Sequence, residues 1–168
     1  MLARWIRWRG SAGGAEPAEA LEFDEMCTRL AVAQSLQAAP ILLWGEAAAR
    51  YLFALIAPLR LAPGRRRRWP AWGLAPAVAA YRQFGVPVYL NDDDLWLHGR
   101  RISRSVVETL GECAVVRSSF LMQFPAACAA TPSSALEQAF RLRLEAQHGW
   151  QFEHSWPSGA EMPACAVA

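Results

Sequence analysis

The stretch NDDDLWLHGRRISR, residues 91–104, carries more structural information than any other part of the chain. It sets three successive acids, Asp92–Asp94, before a short apolar run, a glycine and two arginines. Gly99 permits a tight turn, so Leu95–His98 and the alternating residues of Arg101–Glu108 predict a hairpin. Such a hairpin would bring acidic and basic side chains close together.

The charged residues of this stretch are the first candidates for a functional site. Carboxylates are suitable ligands for Mg²⁺, and arginine binds phosphate through two parallel hydrogen bonds. Asp93, Asp94 and Arg101 are therefore candidates for holding a nucleotide with its metal ion. A solvated acidic turn on an ordinary hairpin accounts for the same residues, so both interpretations stay open on local evidence.

Outward from the hairpin, apolar periodicity predicts a mixture of strands and helices. The predicted strands are a short N-terminal strand, Ile41–Trp44, Tyr51–Ile56, Val86–Leu90, Leu95–His98, Arg101–Glu108 and Cys113–Phe124. The predicted helices are Ala20–Gln37, Leu74–Phe84 and a last helix from Ser133 or Ser134 to Gln147. Between them, Leu61–Trp72 is predicted to be a surface loop, because it is interrupted by proline and glycine.

The composition is that of one folded domain. The chain has 168 residues, of which 54% are hydrophobic and 19% charged, with a net charge of +2. All seventeen basic residues are arginine, so chemistry that needs a lysine amine is excluded.

The longest apolar run, Tyr51–Leu59, is too short to span a membrane, and the N-terminus lacks the apolar core of a secretory signal. We therefore expect a cytoplasmic protein.

The cysteines and histidines do not indicate a metal site. Cys27, Cys113, Cys128 and Cys165 are widely scattered, and the three histidines lack the spacing of a ligand set. No bound metal is expected from them, and the thiols are expected to be reduced. Cys128 lacks a neighbouring His or Lys that could activate it, so an inert thiol is the favoured interpretation.

The hairpin tract resembles the biotin/lipoate protein ligase family, and specifically its lipoate branch. The family pattern is an Asn-Asp pair, a strand, a Gly-containing turn, and then basic-Lys-apolar-small-Gly. In this alignment Asp94 falls on the family Asp, Arg101 on the essential Lys and Arg104 on the Gly, although Asn91-Asp92 could be the family pair instead. The similarity extends to four further stretches: Trp5-Ile6-Arg7 with Phe23-Asp24-Glu25, Pro40–Trp44, Tyr51–Leu59 and Leu136–Trp156.

This resemblance implies a fold and an activity. The fold would be α+β, a two-layer arrangement like that of class II synthetases and biotin ligases, with a mixed, mainly antiparallel sheet and flanking helices in a single domain spanning residues 1–168. Family members adenylate a carboxylic acid with ATP and Mg²⁺ and pass the acyl group to a lysine of a carrier domain, whereas related octanoyltransferases take it from an acyl carrier. Arg101 would then hold the α-phosphate, Asp93 or Asp94 the adenylate or Mg²⁺, and Ser103 the acyl carboxylate.

The chain departs from the family pattern at three places. Arg101 keeps the charge of the family Lys but is bulkier and does not donate a proton near neutral pH. In this alignment Arg104 would fill space that the acyl chain needs. Residues 61–73 replace the family's Gly-rich substrate loop, where Arg65, Arg66, Arg67 and Arg68 would cover the phosphates. These departures raise an alternative, a non-catalytic accessory protein that recognises a lipoyl carrier domain or a partner ligase subunit.

The arginine run 65–68 also permits a nucleic-acid patch, with Trp69 and Trp72 as stacking surfaces. A net charge of only +2 argues against a broad electrostatic footprint. Nucleic-acid binding is therefore the least favoured interpretation.

Overall fold

The computed structural model describes residues 1–8, 16–47, 50–121 and 133–162. The strands are β1 Leu2–Arg7, β2 Ile41–Ala47, β3 Arg50–Pro58, β4 Tyr89–Asn91, β5 Asp94–Leu97, β6 Arg100–Arg101, β7 Ser103–Leu110, β8 Cys113–Leu121 and β9 Gln151–His154. The helices are α1 Glu16–Val32, α2 Trp69–Gln83 and α3 Ser133–His148, with two short 3-10 turns at Leu59–Leu61 and Arg66–Arg68. Within these residues, no helix is long and apolar enough to cross a membrane.

Six strands form the main sheet in the order β7-β8-β3-β2-β1-β9, and β4, β5 and β6 form a small second sheet. The pairs β1–β2 and β1–β9 are parallel, and the other pairs are antiparallel. The parallel pair β1–β2 is joined through α1, as a crossover connection requires. This mixed, mainly antiparallel sheet with flanking helices confirms the expected α+β class.

The central strands are buried on both faces, which explains their continuous apolar sequences. In β3 every residue after Arg50 is buried, and successive side chains enter two separate cores. Phe53 and Leu55 belong to the core beneath α2 and α3, whereas Ala54 and Ile56 belong to the core beneath α1. We call these two sides of the main sheet the α2/α3 face and the α1 face.

Several predicted boundaries are wrong: the helix predicted over Ala20–Gln37 ends at Val32, and the strand predicted over Val86–Leu90 begins at Tyr89. Two further differences bear on the candidate site. The predicted loop Leu61–Trp72 ends early, because α2 begins at Trp69, whose buried ring donates through Nε1 to the carbonyl of Pro63 at 2.8 Å. The predicted hairpin strand Arg101–Glu108 is divided at Ile102, so that β6 completes the small sheet while β7 pairs with β8 in the main sheet. Ile102 is buried at this junction and its amide donates to Leu95 O.

Candidate functional site

Two tight turns place the charged residues of the 91–104 stretch. In the first, Asn91 pairs with Asp94 and Asp92 adopts a positive φ of 51°. In the second, His98 and Gly99 both have positive φ, 47° and 75°, as the two central residues of a type I′ turn require. The second turn places Arg101 opposite Trp96 on the neighbouring strand.

The structure brings Arg101, Asp94 and Ser103 together. Arg101 Nη1 lies 3.5 Å from Asp94 Oδ2, and about half of the arginine side chain is exposed, at 51%. Ser103 is buried; its Oγ accepts a hydrogen bond from the Leu95 amide at 2.7 Å and donates to Asp94 Oδ1 at 3.2 Å. We call these three residues the Asp94 cluster. In this cluster the half-exposed guanidinium of Arg101 lies beside the carboxylate of Asp94, which in turn accepts a hydrogen bond from the buried Ser103 hydroxyl.

The other predicted site residues lie apart from the Asp94 cluster. Asp93 is exposed in the first turn and makes no ion pair within the described parts of the chain. Residues 65–68 are all exposed, and Arg66 donates through Nη2 to Val107 O at 2.6 Å while its guanidinium lies over the ring of Trp69. Because Val107 is four residues beyond Ser103, this contact is about 13 Å further along β7.

A row of serine hydroxyls leads from the Asp94 cluster across β7 and β8. Ser103 Oγ and Ser105 Oγ are 3.5 Å apart, and Ser105 Oγ and Ser118 Oγ are 2.8 Å apart. Ser118 is buried and its hydroxyl donates to Arg104 O at 3.2 Å. Ser118 pairs with Phe53, so the serine row lies on the α2/α3 face of the main sheet, whereas a cavity opens on the α1 face.

The cavity has a volume of about 570 Å³ and lies between α1 and the strands β2, β3, β7 and β8. Three of its lining residues are arginines, Arg50, Arg104 and Arg117, and they lie beside polar and apolar side chains. The remaining lining residues are Phe23, Asp24, Ala47, Leu52, Val106, Ser118 and Ser119. Arg104 is one of the residues that line this space. We call this space the Arg104 cavity.

Arg117 is the best-fixed cation of the Arg104 cavity. Its Nη1 lies 2.8 Å from Asp24 Oδ1 and its Nη2 lies 2.5 Å from Glu108 Oε1. Only 18% of its side chain is exposed. Sequence reasoning did not assign a role to Arg117 or Arg50. Arg117 directly follows the buried residues Val115 and Val116, so a charge in an otherwise apolar strand was the available signal.

Cys27 and Cys113 are buried, and His148 packs against an aromatic ring. Burial raises the pKa of Cys27 to about 12 and that of Cys113 to about 11, so both thiols are protonated and poor nucleophiles. Burial lowers the pKa of His148, which stacks on Trp150 with ring centres 4.4 Å apart. Cys128 lies outside the described residues. Within the described parts of the chain, no three His, Cys, Asp or Glu side chains are grouped to hold a metal ion.

Comparison with known proteins identifies the fold. No family model and no curated protein matches the sequence. Among solved structures, a bipartite lipoate protein ligase from Thermoplasma acidophilum matches with a TM-score of 0.76 at 7% identity, over 96% of this chain and 89% of that chain. Lipoate-protein ligase A bound with ATP gives 0.75 at 10% identity, over 96% and 91%. The biotin protein ligase from Aquifex aeolicus gives 0.61 at 9% identity, over 87% and 68%.

These likenesses show that the chain has the fold of the biotin/lipoate ligase catalytic domain. They confirm the fold expected from the 91–104 stretch. At 7–10% identity they concern the fold alone.

Proposed function

We propose that this chain is a lipoate ligase-like protein that binds a lipoyl carrier domain or a partner ligase subunit without transferring an acyl group itself. The observation that carries the proposal is the position of Arg104 in the cavity lining. A guanidinium in contact with an aliphatic chain would lose water without gaining a partner, which is costly. We therefore expect an acyl chain to bind poorly in the space beside Arg104.

The Asp94 cluster supports the same conclusion. Acyl transfer in the family uses a lysine at the position of Arg101, whereas a guanidinium is always charged and cannot pass a proton. Arg101 is also already paired with Asp94. A bipartite lipoate protein ligase, studied with its E2 lipoyl domain, shares this fold over nearly the whole chain, which favours a lipoyl domain or a second subunit as the partner.

A second candidate function, residual acyl-adenylate formation, is favoured by one feature of the Asp94 cluster. The half-exposed guanidinium of Arg101 is oriented by Asp94, and an arginine in that setting binds a phosphate group well. Mg²⁺ is usually bound by one or two carboxylates together with the phosphates of a nucleotide. Asp93 and Asp94 would supply those carboxylates when a nucleotide is bound. Arg65–Arg68 would cover those phosphates only after moving along β7 toward Ser103.

The deciding experiment measures carrier binding and carrier acylation in parallel. A lipoyl carrier domain is titrated with the full chain by isothermal calorimetry, and its intact mass is followed with ATP, Mg²⁺ and lipoate or octanoate. A no-ATP control and an acyl-carrier donor are run beside it. We expect saturable binding with no gain of mass.

The other outcomes separate the candidates. An ATP-dependent gain of mass on the carrier overturns the non-catalytic proposal in favour of a ligase, and a gain only from the acyl-carrier donor indicates a transferase. Absence of both binding and mass gain, with the protein folded by circular dichroism, rejects the lipoyl domain as the partner. Arg101→Lys is the matched variant, since a dormant ligase would gain activity from it and a binding protein would not.

A further inference from the structure

A groove lies between helix α2, helix α3 and strand β4, at a distance along the chain from the Arg104 cavity. Its volume is about 590 Å³, and α2 and α3 pack against each other beside it. Two exposed arginines line it, Arg82 of α2 and Arg143 of α3. We call this space the Arg143 groove. The apolar part of its lining is Ala75, Val78, Ala79 and Leu90.

Both arginines of the groove are oriented by uncharged acceptors. Arg82 Nε donates to Val88 O at 3.0 Å, and Arg143 Nη2 donates to Gln83 Oε1 at 3.2 Å. Neither arginine forms an ion pair with a carboxylate among the described residues. Each guanidinium therefore has a fixed position and keeps donors for an acid that comes from outside the chain.

The acids of the neighbouring sequence do not neutralise this pair. The described lining of the groove contains no carboxylate. Asp92, two residues beyond Leu90, is exposed in the first turn. Glu145, two residues beyond Arg143, accepts a hydrogen bond from the Phe152 amide at 2.9 Å through its Oε1. The groove is therefore apolar along α2 and β4 and positively charged at Arg82 and Arg143.

We propose that the Arg143 groove binds an acidic amphipathic helix of a partner protein, with aliphatic side chains against α2 and carboxylates at Arg82 and Arg143. Arginine binds a carboxylate through charge-assisted hydrogen bonds that are often bidentate. A helix fits better than an extended segment, because α2 and α3 satisfy their own backbone groups and β4 is only three residues long. This inference goes beyond the proposed function, because it defines the partner by charge and shape and does not involve the Asp94 cluster.

The test is fluorescence anisotropy of a labelled synthetic helix titrated with the full chain. The probe peptide has leucines at positions i, i+4 and i+7 of one face with glutamates beside them, and the control peptide has lysine in place of each glutamate. We expect saturable binding of the glutamate peptide, weaker as the salt concentration rises, and none of the lysine peptide. Ala75→Trp should abolish this binding, because Ala75 is exposed and the new ring would fill the groove.

Reversal of one charge tests the role of the arginines. Arg143→Glu should weaken binding of the glutamate peptide about tenfold or more and should allow the lysine peptide to bind. Arg104→Glu is the matched control, because it changes the net charge equally at an exposed arginine on the α1 face of the sheet. It should bind the glutamate peptide as the unaltered protein does.

Four outcomes would each overturn the inference: equal binding of the two peptides, unchanged affinity in Arg143→Glu, the same loss in Arg104→Glu, or no saturable binding. A lipoyl carrier domain is titrated against the same variants. Carrier binding without peptide binding overturns this inference alone, whereas peptide binding without carrier binding supports it and rejects the lipoyl domain as the partner.

Discussion

Two buried glutamates fasten strand β1 to later parts of the chain. Glu137 of α3 is 3% exposed and accepts a hydrogen bond from Arg7 Nε at 3.0 Å. Glu161 is also 3% exposed, and its two oxygens lie 2.6 and 3.0 Å from the guanidinium of Arg4. These hydrogen bonds from Arg4 are the main reason that the pKa of Glu161 is lowered to about 2. A carboxylate held in this way stabilises the fold only while it is ionised.

Substitution of Glu161 by Gln should therefore lower stability in a pH-dependent manner. Its folded pKa lies below the unfolded value of 4.5, so its contribution is complete above pH 4.5 and is lost as the pH falls toward 2. Loss of a charged hydrogen-bond pair is expected to cost about 1–3 kcal/mol at pH 7. Urea unfolding at pH 7 and pH 3 measures this, and the gap between the two proteins should narrow at pH 3. An equal gap at both pH values would contradict the assignment.

The buried thiols lead to a prediction about labelling. Cys27 and Cys113 are both 0% exposed, and burial holds the pKa of each at about 11 or above. In the native protein at pH 8, we expect peptide mapping after iodoacetamide treatment to find both unmodified, and both modified after unfolding in urea. Rapid native labelling of Cys27 would mean that α1 separates from the sheet, since Cys27 packs in the core beneath that helix.

At the scale of elements, the contact between α2 and β8 depends on a glycine. A Cβ atom at Gly73 would lie 2.7 Å from Val116 Cγ1 and 2.9 Å from Val116 Cβ. Alanine favours a helix over glycine by about 1 kcal/mol, but this close contact with a core valine is expected to cost more. Gly73→Ala should therefore lower the free energy of unfolding by about 1–2 kcal/mol.

The cause of that loss is tested by a second substitution. Val116→Ala should reduce the cost of Gly73→Ala, because it removes the two methyl groups that the new side chain meets and leaves only the Val116 Cβ atom, at 2.9 Å. Gly64→Ala is the control, since a Cβ there would have no neighbour within 4 Å. Additive costs of Gly73→Ala and Val116→Ala in a double-mutant cycle would rule out the proposed contact.

The sequence predicts elements well where the signal is local. The apolar run of β3 and the spacing of Leu136, Phe140 and Leu144 in α3 locate both elements, because each has the period of its own structure. The sequence predicts too late a start for α2, because the burial of Trp69 depends on Pro63 and on the packed core. Such a tertiary contact has no periodicity to reveal it.

The same distinction holds for the candidate site. Asp94 and Ser103 are nine residues apart, and the turn at His98 and Gly99 brings them together, so their proximity follows from the sequence. The Arg104 cavity joins α1 with β3, β7 and β8, and residues so distant meet only through the order of strands in the sheet. Arg50 and Arg117 could not be assigned to it before that order was known.

At the scale of the whole molecule, the N-terminal and C-terminal segments form one edge of the main sheet. Strand β9 lies beside β1 in parallel, and the amino group of Met1 donates to Gly149 O at 3.1 Å. Beyond β9, the Ser155 amide donates to Trp5 O at 2.8 Å, before the chain reaches Glu161. The edge strand is therefore held by backbone pairing, by core burial of Phe152 and by the Arg4–Glu161 ion pair.

Removal of residues 151–168 should consequently destabilise the entire sheet and not merely its edge. Loss of the buried Phe152 ring alone is expected to cost about 3–5 kcal/mol, and Arg4 would lose the carboxylate that pairs with it. Because a small domain has a total stability of about 5–15 kcal/mol, we expect the truncated chain to be largely unfolded or aggregated.

Circular dichroism and gel filtration measure whether the truncated chain is folded and whether it aggregates. Trp156→Ala is the control, since its side chain is 71% exposed while β9 stays intact. A truncated chain that unfolds cooperatively at the midpoint of the full chain would show that β9 is an independent addition, and that the sheet core from β7 to β1 is self-sufficient.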